Sequence, residues 1–310
     1  MCESAIVLII FNRPENTKKI LEQIFIAKPA KLYIIADAAR ENEKGELELT
    51  IKCKELIDKI QWKCEVKKNY ALQNMGCGLR ISSGLDWVFS NEDSAIILED
   101  DCVPAQSFFT FCDQMLHKYK NSTSIYHISG TRWNEEKQTD EDYLFSRYAH
   151  VWGWATWKRA WQQYDYSLSK WPEAKKLENY KLVFQSENEY IFWNSKFQKM
   201  FLAENKSTWD YQWQFTIAIN QGLCVTPAKN LINNIGIDGT HLNIKTGTSS
   251  FYFNRKVDEQ FTITKHPEIL TYDNVYDKYH FRKHFYNSTA KKIKKKLIAI
   301  FKKLNLFFSF

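Results

Sequence analysis

Three short, uninterrupted apolar runs punctuate the first hundred residues, AIVLIIF (5–11), KLYIIA (31–36) and AIIL (95–98), and a less regular strand candidate lies at about 63–67. Runs this short, rich in β-branched residues, read as strands buried on both faces. The segments between them carry helical spacing instead. After Asn12-Arg13-Pro14, a proline suited to a first helical turn, Ile20, Leu21, Ile24 and Phe25 fall on one helical face. Residues 106–119 place Phe108, Phe109, Cys112, Met115, Leu116 and Tyr119 in the same way. Strands alternating with helices predict an α/β fold, a mostly parallel sheet flanked by helices.

Composition agrees. At 310 residues with 44% hydrophobic content, the chain has ample material for a core, and its 10 Gly and 6 Pro show no repeat. Seven cysteines, an odd number without a CxxC pair, suggest neither a disulfide framework nor a zinc site, so a reducing cytoplasm is the expected compartment. AIVLIIF is too short for a signal-peptide core or a membrane span. The net charge of +7 is local: residues 289–310 carry seven lysines and no acid, leaving the rest of the chain neutral. A charge confined in this way argues against a nucleic-acid partner.

In open α/β sheets, ligands bind beyond the carboxyl ends of the strands. Polar clusters stand at all four such ends: Asn12-Arg13, then Asp37, then Asn74 to Arg80, then Glu99-Asp100-Asp101. The phosphate-cradling patterns GxGxxG and GxxxxGK[ST] are both absent. The acidic triplet is either a solvated loop or a cation site, and its place at a strand end favours the site. Extended backbone would point Glu99 and Asp101 one way and Asp100 the other. One or two carboxylate oxygens suit Mg²⁺ or Mn²⁺ when diphosphate oxygens and water complete the shell.

Downstream, Asp210 lies in STWDYQW between Trp209 and Trp213. Aromatic neighbours would desolvate it toward the pKa of a general base; equally, it is placed to cap a helix over 212–221. His241, in IDGTHL, is a candidate metal or phosphate contact, or an ordinary loop residue. From about residue 130 tryptophan becomes dense, and VWGWATWKRAW (151–161) alone holds four of the eleven. Such residues form core, or the flat wall of a sugar site.

FNRP (11–14), Asp37, NxGxGxR (74–80), IILEDDCVPAQSFF, GTRWN (130–134), HVWGWATWKRAW, KWP (170–172), WDYQW and DGTH follow one another in an order that resembles GT-A-fold, nucleotide-sugar-dependent glycosyltransferases. The resemblance is to bacterial family 2-like enzymes related to the N-acetylglucosaminyltransferase I family, over roughly residues 5–242. It implies a GT-A (Rossmann-like) domain over 1–250, with a nucleotide-sugar-binding half at about 1–129 and an acceptor half at about 130–250. A C-terminal extension (251–288) and a basic tail (289–310) follow. Phe11, Asn12, Arg13, Asp37, Asn74, Arg80, Glu99 and Asp100 would bind the nucleotide-sugar, UDP-linked by preference. Asp101 would hold Mn²⁺ or Mg²⁺, with His241 as a second candidate ligand, and Asp210 would be the base of an inverting hexosyl or N-acetylhexosaminyl transfer. Trp133, Trp152, Gly153 and Trp154 would line the acceptor side, toward a glycan or lipid-linked saccharide in cell-surface polysaccharide synthesis. The pattern departs from the family where Ala38-Ala39 follows Asp37, since Asp-Gly is frequent there.

Two other readings compete. A sugar nucleotidyltransferase would need a Gly-rich loop after the first strand, where FNRPEN stands instead. A non-catalytic, membrane-associated carbohydrate-binding protein explains the tryptophans and the tail, but not acids and arginines at four strand ends.

In the tail, Ile293, Leu297, Ile300, Phe301, Leu304 and Phe308 recur at three- and four-residue steps with lysines between them. A basic amphipathic helix of this kind anchors to an anionic membrane surface, or docks its apolar face on the body. The first reading makes the protein peripheral on the inner face of the cell membrane. Full-length protein should then sediment with anionic vesicles while a chain ending at residue 288 stays in the supernatant; equal sedimentation excludes the anchor.

Overall fold

A computed structural model describes residues 2–236 and 251–286. Its centre is an eight-stranded sheet. In chain order the elements of the first half are β1 (Ala5–Ile10), α1 (Pro14–Ala27), β2 (Lys31–Ala36), α2 (Glu46–Asp58), β3 (Glu65–Tyr70), α3 (Cys77–Asn91), β4 (Ser94–Glu99), β5 (Cys102–Pro104) and α4 (Gln106–Lys118). The second half supplies β6 (Ile125–Ser129), β7 (Tyr143–Ser146), β8 (Trp154–Trp157), α5 (Lys158–Trp161), α6 (Trp171–Ala174), α7 (Glu187–Leu202), α8 (Asp210–Ile219), β9 (Leu223–Pro227), β10 (Ile232–Asn234) and α9 (Asn274–His280). The sheet order is β3-β2-β1-β4-β8-β6-β9-β7, with β5 and β10 forming a separate antiparallel pair. Strands β3, β2, β1 and β4 are mutually parallel. Strand β8 runs against both β4 and β6, and β7 against β9, so the other six strands point one way. This is the mostly parallel, Rossmann-like α/β sheet that the sequence predicts.

The continuous apolar runs follow from burial on both faces. In β1, Ile6, Leu8 and Ile10 join one core cluster with Ile20 and Ile24 of α1 and Phe108, Phe111 and Met115 of α4. Val7 and Ile9 join another, with Leu85, Val88 and Phe89 of α3 and with Trp154, Trp161 and Trp213. A third cluster, of Trp171, Trp193, Phe197, Phe215 and Phe281, packs the helices of the second half together.

Two expectations shift. Phe25 leaves the buried face of α1, which consists of Thr17, Ile20, Leu21, Ile24 and Ala27. It lies 49% exposed and edge-on to Trp62 at 5.5 Å. The third strand starts at Glu65 rather than near 63, because EVKKNY is a half-exposed edge strand whose polar residues carry little apolar signal.

Helix α3 approaches the sheet through Gly84, where a Cβ would lie 2.7 Å from both Cδ1 and Cγ2 of Ile35. Ile35 is fully buried and β-branched, so it has little room to turn away. Gly84→Ala should cost about 1–3 kcal/mol in urea unfolding; unchanged stability would mean that this contact is looser than described.

Candidate active site

Parallel register sets the site. Ile10 pairs with Ala36 and Ala36 with Tyr70, while Ile9 pairs with Glu99, so the loops after β1, β2, β3 and β4 leave the sheet side by side. A cavity of about 150 Å³ opens there, lined in part by Asn12, Arg13, Asp37, Arg40, Cys77 and Glu99.

Strand β4 ends at Glu99, and Asp100 and Asp101 belong to the turn that follows. The expected alternation of the three acids therefore fails, because it holds only in extended backbone. Asp100 and Asp101 converge instead: one nitrogen of Arg13, NH1, donates to Asp100 Oδ1 and to Asp101 Oδ2, each at 2.9 Å. Asp100 Oδ2 also accepts the Phe11 N–H at 3.2 Å. The antiparallel β5–β10 pair returns the chain over this turn, so that a Cβ at Gly236 would lie 2.3 Å from Asp101 Oδ2.

Glu99 receives no hydrogen bond from a side chain among the described residues and has no ion-pair partner there. Burial, reinforced by Asp101, Asp100 and Asp210, raises its pKa well above the ordinary range, against the single opposing cation Arg13. Asp100 is pushed up to about 6, mainly by burial. Asp210 is raised by burial too, although the Thr208 hydroxyl and the Tyr211 N–H both donate to it. Asp210 begins α8 within electrostatic reach of Glu99, so the structure brings it to the rim. Cys77, not singled out as a site residue in the sequence, is half-buried beside the acids; desolvation and then Glu99, Asp210, Asp101 and Asp37 raise its thiol pKa.

The other rim residues bolt the loops together. Asp37 accepts from Ala38 N (2.9 Å), Met75 N (2.9 Å) and Gly76 N (2.9 Å), and Asn74 Nδ2 donates to Ala38 O at 2.7 Å. Gly76 adopts φ +74°, which favours glycine. Buried Arg80 donates through Nε to Ala36 O (3.0 Å) and through NH2 to Asn69 O (2.5 Å) and Oδ1 (2.8 Å), strapping β2 to β3. Asn12 donates to Glu46 at 2.8 Å, and the same carboxylate takes both Nε and NH2 of Arg40 at 3.0 and 2.6 Å. Neither Arg40 nor Glu46 stands out in the sequence, where both lie in an ordinary polar stretch.

The tryptophans separate. Register places Trp154 opposite Ile97, so residues 151–153 share the rim with Glu99. Trp133 and Trp152 are partly exposed, 5.7 Å apart between ring centroids. Gly153, at φ +61°, backs onto Ile232, whose Cδ1 would lie 2.3 Å from a Cβ. Trp154 is fully buried, stacked on Trp209 at 5.2 Å and on His127 at 5.1 Å, so it belongs to the core rather than to a solvent-facing acceptor wall. His241 and the tail at 289–310 lie outside the described residues.

A larger cavity of about 390 Å³ lies at the opposite edge of the sheet, where Ser124 and Gly222 precede β6 and β9. Its charged residues are already matched, Arg147 pairing with Glu189 and Asp277. Among the described residues no group of three or more His, Cys, Asp or Glu is disposed to hold a metal unaided, and no helix is long and apolar enough to cross a membrane. All seven cysteines are free thiols.

No protein-family model and no curated protein matches the chain. Its fold is similar to those of several solved structures at low identity. A mannosyltransferase from Pyrobaculum calidifontis, in complex with GDP-Man and Mn²⁺, aligns at 11% identity and TM-score 0.34 over 50% of this chain. The alignment spans only 45% of the mannosyltransferase. A UDP-glucose pyrophosphorylase complexed with UDP-glucose aligns at 8% identity and TM-score 0.36, over 73% of this chain and 90% of that one. HddC from Yersinia pseudotuberculosis aligns at 10% identity and TM-score 0.29, over 50% and 77% respectively.

Proposed function

We propose that the chain is a GT-A-type, metal-dependent, inverting glycosyltransferase. It would move a hexosyl or N-acetylhexosaminyl group from a nucleotide-sugar, UDP-linked by preference, to a glycan or lipid-linked saccharide in cell-surface polysaccharide synthesis. The observation that carries this reading is the gathering of Glu99, Asp100, Asp101 and Asp210 at one sheet edge, with Arg13 shared by Asp100 and Asp101, Lys196 acting on Asp210, and a cavity beside Glu99 and Asp100. A fold concentrates uncompensated buried charge of one sign where a ligand of the other sign completes it.

The donor chemistry fits Mg²⁺ or Mn²⁺: the available ligands are hard carboxylate oxygens, and Glu99 has no cation partner among the described residues. Asp101 would hold the ion, with Glu99 next to it. Since the described residues do not enclose a metal by themselves, diphosphate oxygens and water would complete its shell. When bound, the ion would offset charge developing on the departing diphosphate.

The chain's own groups do the rest. Loops 11–13, 37–40 and 74–80, held by the Asp37, Arg80 and Glu46 bonds, form a rigid seat for the nucleotide. Arg13 approaches the same region as a fixed positive charge. Asp210 takes the proton from an acceptor hydroxyl while that oxygen attacks the anomeric carbon and the nucleoside diphosphate leaves. One displacement inverts the centre, and burial of Asp210 strengthens it as a base. Trp133 and Trp152 provide a partly exposed aromatic wall for the acceptor. Residues 289–310 would hold the enzyme at an anionic membrane.

A panel of UDP-, GDP- and dTDP-sugars, assayed for metal-dependent turnover, tests the reading, and inactivity across the panel with every acceptor class overturns it. Asp210→Asn should reduce transfer by about 10²-fold or more while leaving donor affinity near normal. Asp101→Ala should instead abolish metal-dependent nucleotide binding in calorimetry. Retained transfer in the first variant removes the base assignment, and unchanged affinity in the second removes the metal ligand.

A further inference from the structure

The chain beyond β6, at the same sheet edge, contains a second unusual environment. Arg132 is fully buried, yet among the described residues no carboxylate hydrogen-bonds it: its NH2 donates to Lys137 O, its plane lies over Tyr276 at 4.3 Å, and Nε and NH1 have no partner there. The acids alongside, Asp273, Glu135 and Glu136, have other partners; Asp273 accepts the Tyr276 N–H at 2.8 Å. Glu135 holds Arg255 at 3.0 Å and the Asn230 N–H at 3.1 Å; Glu136 holds Tyr279 at 2.8 Å and Lys283.

Three histidines pack against this point. His280 lies 4.8 Å from His150 and 4.7 Å from His284 between ring centroids, and Trp133 stacks on His150 at 4.5 Å. Their hydrogen bonds set a direction. The Tyr252 hydroxyl donates to His284 Nδ1 (2.9 Å), His284 Nε2 donates to Asn134 Oδ1 (2.7 Å), and Asn134 Nδ2 donates to His280 Nδ1 (2.9 Å). Accepting at Nδ1 leaves His280 with its proton on Nε2, and that buried N–H has no acceptor among the described residues. Trp133 Nε1 and Arg255 NH1 are likewise buried and unpaired.

Among the described residues five buried donor atoms are thus left open: Arg132 Nε and NH1, Trp133 Nε1, His280 Nε2 and Arg255 NH1. Only His150 Nε2 and the Tyr276 hydroxyl, among the unpaired atoms here, are able to accept. Water supplies two acceptor sites and brings two protons that need acceptors in turn, so it fits an excess of donors poorly. A metal ion fits worse, since His280 Nδ1 and both nitrogens of His284 are already used. An oxyanion accepts only, and it brings the negative charge that Arg132 lacks.

We infer that Arg132, Trp133, His280 and Arg255 form a binding site for an oxyanion, either a phosphate or a carboxylate. The site stands on its own geometry. It adjoins Trp152 and the rim holding Glu99, so where the transferase reading also holds, the acceptor carries that anionic group.

The test requires neither donor nor metal, so it fails or succeeds separately from the transferase reading. Full-length protein with ¹⁵N-labelled histidine is titrated with inorganic phosphate, with acetate, and with chloride at matched ionic strength. Saturable shifts of the His280 and His150 ring nitrogens are expected with phosphate or acetate and not with chloride; the tighter of the two identifies the group. Trp133→Phe should weaken binding about tenfold by deleting one charge-assisted donor, and Arg255→Met should do the same. Arg132→Met should remove binding; should it not fold, the other two variants decide. No saturable shift with either anion, or unchanged affinity in both Trp133→Phe and Arg255→Met, overturns the site.

Discussion

The contact on which the candidate site depends is Arg13 with two carboxylates at once. Asp100 and Asp101 lie in a turn closed over by β10, and their repulsion is offset there by one nitrogen shared between them at 2.9 Å. That nitrogen hydrogen-bonds neither Glu99 nor Asp210, and burial raises the pKa of both carboxyl groups at the edge of a well-packed sheet. Charge in a low-dielectric place is costly unless matched, and the whole rim is arranged around that mismatch.

What keeps the mismatch in place is rigidity around it. Asp37 is absorbed in capping the 74–76 turn, Arg80 in tying β2 to β3, and Glu46 in holding Arg40 and Asn12. These groups are polar in sequence and structural in role: they orient backbone and loop ends so that few atoms need to move when a ligand arrives. The second half of the sheet does the same with aromatic packing. Buried Trp154, Trp209 and Trp213 pack together on one face of the sheet, while Trp152 packs against the cluster on the other and stays partly exposed with Trp133.

The two rim environments complement one another. The first gathers carboxylates around one arginine, and the second gathers donors around an arginine with no carboxylate bonded to it. Both occur where loops leave the same edge of one sheet, linked through the pairing of β4 with β8 and β8 with β6.

The sheet and its order of elements were legible because strands buried on both faces carry few polar residues, so β1, β2 and β4 announce themselves as largely apolar runs. The edge strand β3 announced itself less well, since one open side tolerates lysines. Acids after a buried strand marked the rim in the same way. Which aromatic faces solvent was not legible: Trp133 and Trp154 are the same residue type in similar company, and only packing against His127 and Trp209 puts one of them inside. Nor was the convergence of Asp100 with Asp101, which depends on where β4 stops, or the Tyr252–His284–Asn134–His280 chain, whose members lie as much as 150 residues apart. Hydrophobic periodicity is a local property and survives in the sequence; hydrogen-bond direction and unmet charge arise between distant segments, and only the folded chain decides them.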